Sequence, residues 1–184
     1  MKEKQQNIIQ ATMLLGIFLG VYQTVTLISM ILTVNFKIGS FIFMLLTLGL
    51  PFVAGFLIKK FRDKNNIVFF PFSMAWLFSL LTFMFASLLS VMLFYLFLRF
   101  IDNGQFLANM SSMFEEFKQM LEQLNKLNDN TIPFSFFDQI DSYIEYYKSL
   151  SITGLIKDLF STNLLWGNIF SLIIAIFVKR KKIA

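Results

Sequence analysis

The sequence predicts an all-α integral membrane protein: four transmembrane helices, both termini on the cytoplasmic side, and an extracytoplasmic amphipathic helical hairpin between spans three and four. Three observations carry that prediction. Of 184 residues, 57% are hydrophobic and only 15% are charged, against roughly 25% charge in a soluble domain. The charges are absent from Gln5 to Phe36, Ile38 to Ile58, Asn65 to Leu98 and Leu159 to Val178. Those windows hold 32, 21, 34 and 20 residues, and about 20 apolar residues in a helix cross a bilayer core. This composition excludes a soluble globular domain and a disordered chain.

The first span, about 8–34, follows Lys2, Glu3 and Lys4. A cleaved signal peptide has an apolar core of about 7–15 residues and a small-residue cleavage site. This run is longer and lacks such a site, so it reads as a retained signal anchor. The second span, about 38–58, follows a turn at Asn35-Phe36-Lys37 and forms a tight antiparallel pair with the first. Pro51, with Gly49 and Gly55, makes that span kinkable. The third, about 71–98, opens on Pro71, whose missing N–H is harmless in a first helical turn. Residues 99–158 make the extracytoplasmic insert. Residues 159–184 hold the fourth span and a basic tail, Lys179-Arg180-Lys181-Lys182.

Orientation follows from the basic residues, which concentrate on the cytoplasmic side. The termini and the segment between spans two and three hold ten Lys and Arg and two acids, a net +8. The remaining segments hold six basic residues and nine acids, a net −3. Both ends therefore face inward, and the chain's net +5 reads as topology rather than as a nucleic-acid surface.

Within the insert, Phe106, Met110, Met113, Phe117, Met120, Leu124 and Leu127 recur at alternating spacings of four and three. That is helical periodicity, widened by Leu107, Phe114 and Leu121. Asn128-Asp129-Asn130-Thr131-Ile132-Pro133 breaks the helix. A second amphipathic segment follows, with Phe136, Phe137, Ile140, Tyr143, Ile144, Tyr147 and Leu150 opposite Asp138, Asp141, Glu145 and Lys148. Ser151 to Gly154 then reads as a break before the last span. The two apolar stripes either bury each other or lie on the outer bilayer interface, while the acidic polar face favours a docking protein.

The chain has no Cys and no His, which removes disulfides, thiolate chemistry and imidazole chemistry. No span carries a carboxylate or an amine near its middle, as a proton relay or ion pump would require. What the spans carry is small and neutral polar residues at helical spacing. Span one has Thr12, Gly16, Gly20 and Gln23; span three has Ala75, Ser79, Thr82, Ala86 and Ser90; span four has Asn163, Gly167, Ser171 and Ala175. Such stripes let helix backbones approach closely. Gln23, Asn163 and Asn168 either bond between helices or line a polar headgroup pocket. Arg99 and Asp102, with Lys157 and Asp158, mark the outer ends of spans three and four and form a candidate interface charge ring.

The segment Lys59-Lys60-Phe61-Arg62-Asp63-Lys64-Asn65-Asn66, followed by Ile67 to Ala75, resembles the domain-of-unknown-function 4199 family of small four-span bacterial inner-membrane proteins. That family shares a span pair, a basic loop with an R-[YF]-R-D-like core, a third span, an insert, and a last span ending in basic residues. Phe61-Arg62-Asp63 is the sharpest part of the match. Trp76 stands where members often have a glycine. The family has no established activity. Its members' genes tend to lie near an envelope glycosyltransferase acting on polyprenyl-linked sugar, which implies a helper role in envelope glycan or lipid-linked sugar metabolism.

The residues themselves supply no catalytic constellation, no metal site and no need of a cofactor. The expectation is a non-catalytic membrane subunit or scaffold. Its partners are membrane lipids and another membrane or envelope protein or a second copy of itself, with no nucleic acid. The competing expectation is a component of a small transporter or flippase for a lipid-like substrate.

Overall fold

The computed structural model describes residues 2–35, 37–65, 67–102, 105–127 and 133–180. The turn at Phe36, the break at Asn128–Ile132 and the tail beyond Arg180 lie outside the described residues, as do the side chains of residues 2–7, 32–35, 37–38, 127 and 134. Six α-helices follow in order: α1 Lys2–Asn35, α2 Lys37–Lys64, α3 Phe72–Phe97, α4 Gln105–Leu127, α5 Phe134–Ser149 and α6 Ile152–Val178. A π-helical turn, Leu98–Asp102, extends α3. Among the described residues β-pairing is limited to one antiparallel bridge, Phe70 with Arg180.

Among the described residues four stretches are long and apolar enough to cross a membrane: Ile8–Ile31, Gly39–Lys64, Phe72–Asp102 and Ile152–Val178. Two boundaries differ from the sequence expectation. Lys59 to Lys64, read as a loop, form the last turns of α2; charge ends a hydrophobic run without ending a helix, because Lys and Arg stems can reach out of the apolar zone. At the other end, α6 starts at Ile152 and places Lys157 and Asp158 inside the helix. Ser151 explains this start. Its hydroxyl accepts the Gly154 N–H at 3.1 Å, the bond an N-cap serine makes to the third helical residue. The break is thus shorter than Ser151–Gly154.

The chain divides into two compact units, Met1–Phe94 with Ile156–Ala184, and Tyr95–Leu155. In the first, α3 is the central helix, with half of its apolar window buried, against about a tenth for α2. The row of small residues along it faces inward: Ala75, Ser79, Thr82, Ala86 and Ser90 are fully buried. Phe78 and Phe83 fill the space between them. In lipid, apolar burial gives helices little reason to associate, so close backbone packing must supply the attraction.

The second unit pairs α4 and α5 antiparallel. Glu115 meets Lys148 at 2.5 Å and Lys118 meets Asp141 at 2.5 Å, while Phe114 stacks on Tyr147 at 5.1 Å between ring centroids. Ile140 and Ile144 are buried in the seam. The stripe predicted from periodicity is only partly used. Phe106 is buried, but Met113, Phe117, Met120 and Leu124 stay exposed at 43–50%. The seam instead runs along the neighbouring flank through Phe114, Lys118 and Leu121. That choice places the ion pairs on the edge of the seam.

The Lys118 ammonium is held above its ordinary value of 10.5, chiefly by its hydrogen bond to Asp141, with the charges of Asp141 and Glu122 adding to it. A raised lysine value contributes stability fully below the unfolded value and loses it as pH rises through the folded one. The protection factors of the α4 and α5 amides, which discount the base-catalysed rise of free-amide exchange, are therefore expected to hold up to about pH 10 and to fall as pH rises past the 10.5 of a free lysine. Lys118→Met should abolish that alkaline step.

Candidate functional site

The transmembrane unit is assembled through two glycine contacts on α3. On one side α1 presents Gly16 and Gly20. A Cβ added at Gly16 would lie 2.6 Å from the Phe85 Cβ and 3.2 Å from the Thr82 carbonyl oxygen, and one at Gly20 would lie 3.0 Å from the Ala86 carbonyl oxygen. On the other side α6 presents Gly167, whose added Cβ would lie 3.0 Å from the Phe83 Cβ. The two helices thus lie against α3 without an intervening side chain on their own part.

The hydroxyls along these seams turn back to their own helices. Thr12 donates to Ile9 O at 2.8 Å, Ser79 to Ala75 O at 2.7 Å, Thr82 to Phe78 O at 2.9 Å and Ser171 to Gly167 O at 2.6 Å. Such bonds satisfy a hydroxyl where water is absent. Ser87 departs from the pattern: it is fully buried and its Oγ has no hydrogen-bond partner. Removing an unsatisfied buried hydroxyl relieves a desolvation penalty of about 1 kcal/mol or more. Ser87→Ala is therefore expected to leave stability unchanged or raise it by about 1 kcal/mol, read as the midpoint of detergent-titrated unfolding in mixed micelles.

The three amides have separate surroundings. Gln23 is 5% exposed, and its Oε1 accepts the Ser90 hydroxyl at 3.2 Å, bonding α1 to α3. Asn168 is exposed and accepts the Trp76 indole N–H at 3.3 Å, bonding α6 to α3. Trp76 and Ser90 are about 21 Å apart along α3 at 1.5 Å per residue, so the Gln23 and Asn168 amides do not share one pocket. Asn163 is half-buried on α6. Trp76 is thus a donor to the fourth span.

Between α1 and α2 the contact is of another kind. The Tyr22 hydroxyl donates to Leu46 O at 2.7 Å, and Gly49 makes the notch for it, since a Cβ there would lie 2.6 Å from the Tyr22 oxygen. Pro51 lies inside α2 and leaves the adjacent Thr47 carbonyl without its helical N–H. Gly49 therefore serves packing against Tyr22 rather than only flexibility.

The Phe61-Arg62-Asp63 core converges at the basic end of the unit. Arg62 is 8% exposed. Its Nη1 donates to the Val178 carbonyl, the end of α6, at 2.5 Å. Its Nε and Nη2 hold one carboxylate oxygen of Asp63 at 2.9 and 2.7 Å. Arg180 approaches the same oxygen at 4.0 Å, and its backbone pairs with Phe70 through bonds of 3.0 and 2.7 Å. Phe61 stacks on Phe78 at 5.2 Å. A guanidinium at a helix C-terminus meets unpaired carbonyls and the negative end of the helix dipole. The motif is a clamp that fastens the end of α2 to the end of α6 and to the chain entering α3. Sequence reasoning noted the motif and missed this role, because the partner lies 116 positions away.

Of the four residues of the candidate charge ring, Arg99 and Asp102 belong to the second unit and Lys157 and Asp158 to the first. Asp102 has a local function: its Oδ2 accepts the Phe106 N–H at 2.8 Å, satisfying one of the free donors at the start of α4.

Four long apolar helices, with glycines where α1 and α6 approach α3, define a multi-pass helical membrane protein. The family model described as a protein of unknown function, DUF4199, matches residues 11–180, and the chain belongs to that family. No curated protein and no solved structure matches it.

Proposed function

We propose that this chain is a non-catalytic subunit or scaffold of a membrane complex, set in the bacterial inner membrane with both termini in the cytoplasm. One observation carries the reading. Two of the three intramembrane amides that chemistry or transport would use hold helices together, Gln23 with Ser90 and Asn168 with Trp76. The orientation rests on the basic excess: Lys59, Lys60, Arg62 and Lys64 share one end of the unit with Lys179 and Arg180, through the Arg62 contact to Val178. The system served is an envelope glycan or lipid-linked sugar pathway, as the family's gene context implies. In-cell crosslinking followed by purification in mild detergent tests this directly. A stoichiometric envelope protein is expected; a partner-free monomer, or an active periplasmic reporter fused after Ala184, overturns the reading.

A second reading has one observation in its favour. A groove of about 390 Å³ between α1 and α2 is lined by Leu14, Phe18, Leu57 and Phe61 together with Lys60 and Lys64, apolar walls beside cations that suit an anionic lipid. As part of a lipid transporter or flippase, the purified chain would speed transbilayer movement of a fluorescent anionic lipid in vesicles. An unchanged rate with the pure chain counts against it.

A further inference from the structure

The α4–α5 pair has two unlike faces. At 100° per residue, Met113, Phe117, Met120 and Leu124 fall within an arc of about 60° on α4, on one flank of the seam. Glu115 and Glu122 fall on the other flank. On α5, Phe136, Tyr143 and Tyr146 lie on one flank, with Asp141 and Lys148 on the other. The pairs Glu115–Lys148 and Lys118–Asp141 bring the two charged flanks to one face of the hairpin. In an antiparallel pair the two apolar flanks then share the opposite face. All seven apolar side chains on it are 40–59% exposed.

We propose that this face lies on the bilayer surface, so that the hairpin is an interfacial clamp against the lipid headgroup and upper acyl region. Connectivity argues for lipid as the occupant. The unit that contains the hairpin, Tyr95–Leu155, also contains both membrane junctions. Two residues separate the apolar stretch Phe72–Asp102 from α4, and two separate α5 from the stretch Ile152–Val178. Phe100 and Ile101, exposed at 72% and 68%, carry the lipid-facing surface to within a few residues of α4. The apolar face is therefore tethered at both ends to the bilayer it would enter, at a high effective concentration.

The chemistry of the face agrees. Met, Phe and Leu supply apolar area, and Tyr143 and Tyr146 supply rings with a polar tip that suit the headgroup level. Except for Glu116, which lies at the margin of the apolar arc between Met113 and Met120, the charged groups point the other way; α4 and α5 together carry six acids and three lysines, so attraction to anionic lipid is not the driving force. Apolar area is, and the tether takes the place that basic residues fill in untethered interfacial helices. The inference is independent of the scaffold reading and adds to it, leaving the acidic face as the one free for a protein.

The chain has no Cys, so single spin labels test the proposal in the full-length protein reconstituted in phosphatidylcholine vesicles. Labels are placed by Met113→Cys and Met120→Cys on the apolar face and by Gln119→Cys and Glu122→Cys on the charged one, which they share with Asp141 and Lys148. At 113 and 120, collisions with lipid-soluble oxygen are expected to exceed those with a water-soluble nickel chelate several-fold, and at 119 and 122 the order reverses. Two outcomes overturn the proposal. Labels at 113 and 120 that favour the nickel chelate place the face in water. Labels shielded from both reagents, with spin–spin broadening that disappears on dilution with unlabelled protein, show a second copy covering it.

Discussion

Replacing Arg62 with methionine is expected to destabilise the transmembrane unit by about 2–3 kcal/mol. Methionine keeps most of the stem and removes the guanidinium. The main loss is the charge-assisted bond from a buried donor to the Val178 carbonyl, of a kind worth about 1.5–3 kcal/mol. The Asp63 side chain is 46% exposed, so its ion pair adds at most about 1 kcal/mol. Asp63→Asn should accordingly have the smaller effect, and Arg62→Lys an intermediate one, since a single ammonium cannot reach both partners in the guanidinium's fork geometry. Two measurements check this: the midpoint of unfolding in mixed micelles, and hydrogen exchange at the Phe70 and Arg180 amides, which bond to each other's carbonyls. A variant with unchanged midpoint and unchanged exchange would show that the clamp carries no stability.

Gly16→Leu is expected to cause the largest loss of any single change in the spans, about 3 kcal/mol or more, and Gly16→Ala a loss of about 1–2 kcal/mol. The alanine case decides between two opposing effects. In an isolated helix, alanine is favoured over glycine by about 1 kcal/mol. Here the new Cβ would lie 2.6 Å from the Phe85 Cβ and close to the Thr82 and Ala86 backbone. Neither is the far end of a flexible side chain, and α3 cannot recoil freely because Gly167 of α6 already approaches Phe83 on its other side. Overpacking therefore wins over helix propensity. Val21→Leu, at an exposed position on the same helix, should leave the unfolding midpoint unchanged. Stabilisation by Gly16→Ala would mean that α1 does not rest on α3 as described.

Much of this architecture was legible in the residues. The charge-free windows located the four long apolar helices, because a buried charge in hydrocarbon is costly enough to make its absence a reliable marker. Gly16, Gly20, Thr82, Ala86 and Gly167 sit where two helices approach closely, which small residues allow in a membrane. Helix ends were harder. Lys59 to Lys64 looked like a loop because charge marks where lipid ends, and a helix continues through that boundary whenever its backbone bonds continue. The start of α6 had a local signal in Ser151, three residues before Gly154, which was read as part of a break.

The sequence by itself determined the solvent of this protein, the number of its apolar helices and the periodicity of its hairpin, since each depends on composition and spacing along one segment. Tertiary structure alone decided which partner each contact takes. Apolar residues cover more than one flank of α4, so periodicity could not say that the flank of Phe114 would meet Tyr147 while Met113 and Phe117 remained uncovered. Nor could any local pattern show that Arg62 reaches Val178 or that Gly49 makes room for Tyr22. Those pairings arise from how separate helices approach in space, and the energy of a close contact depends on distances that no single helix contains.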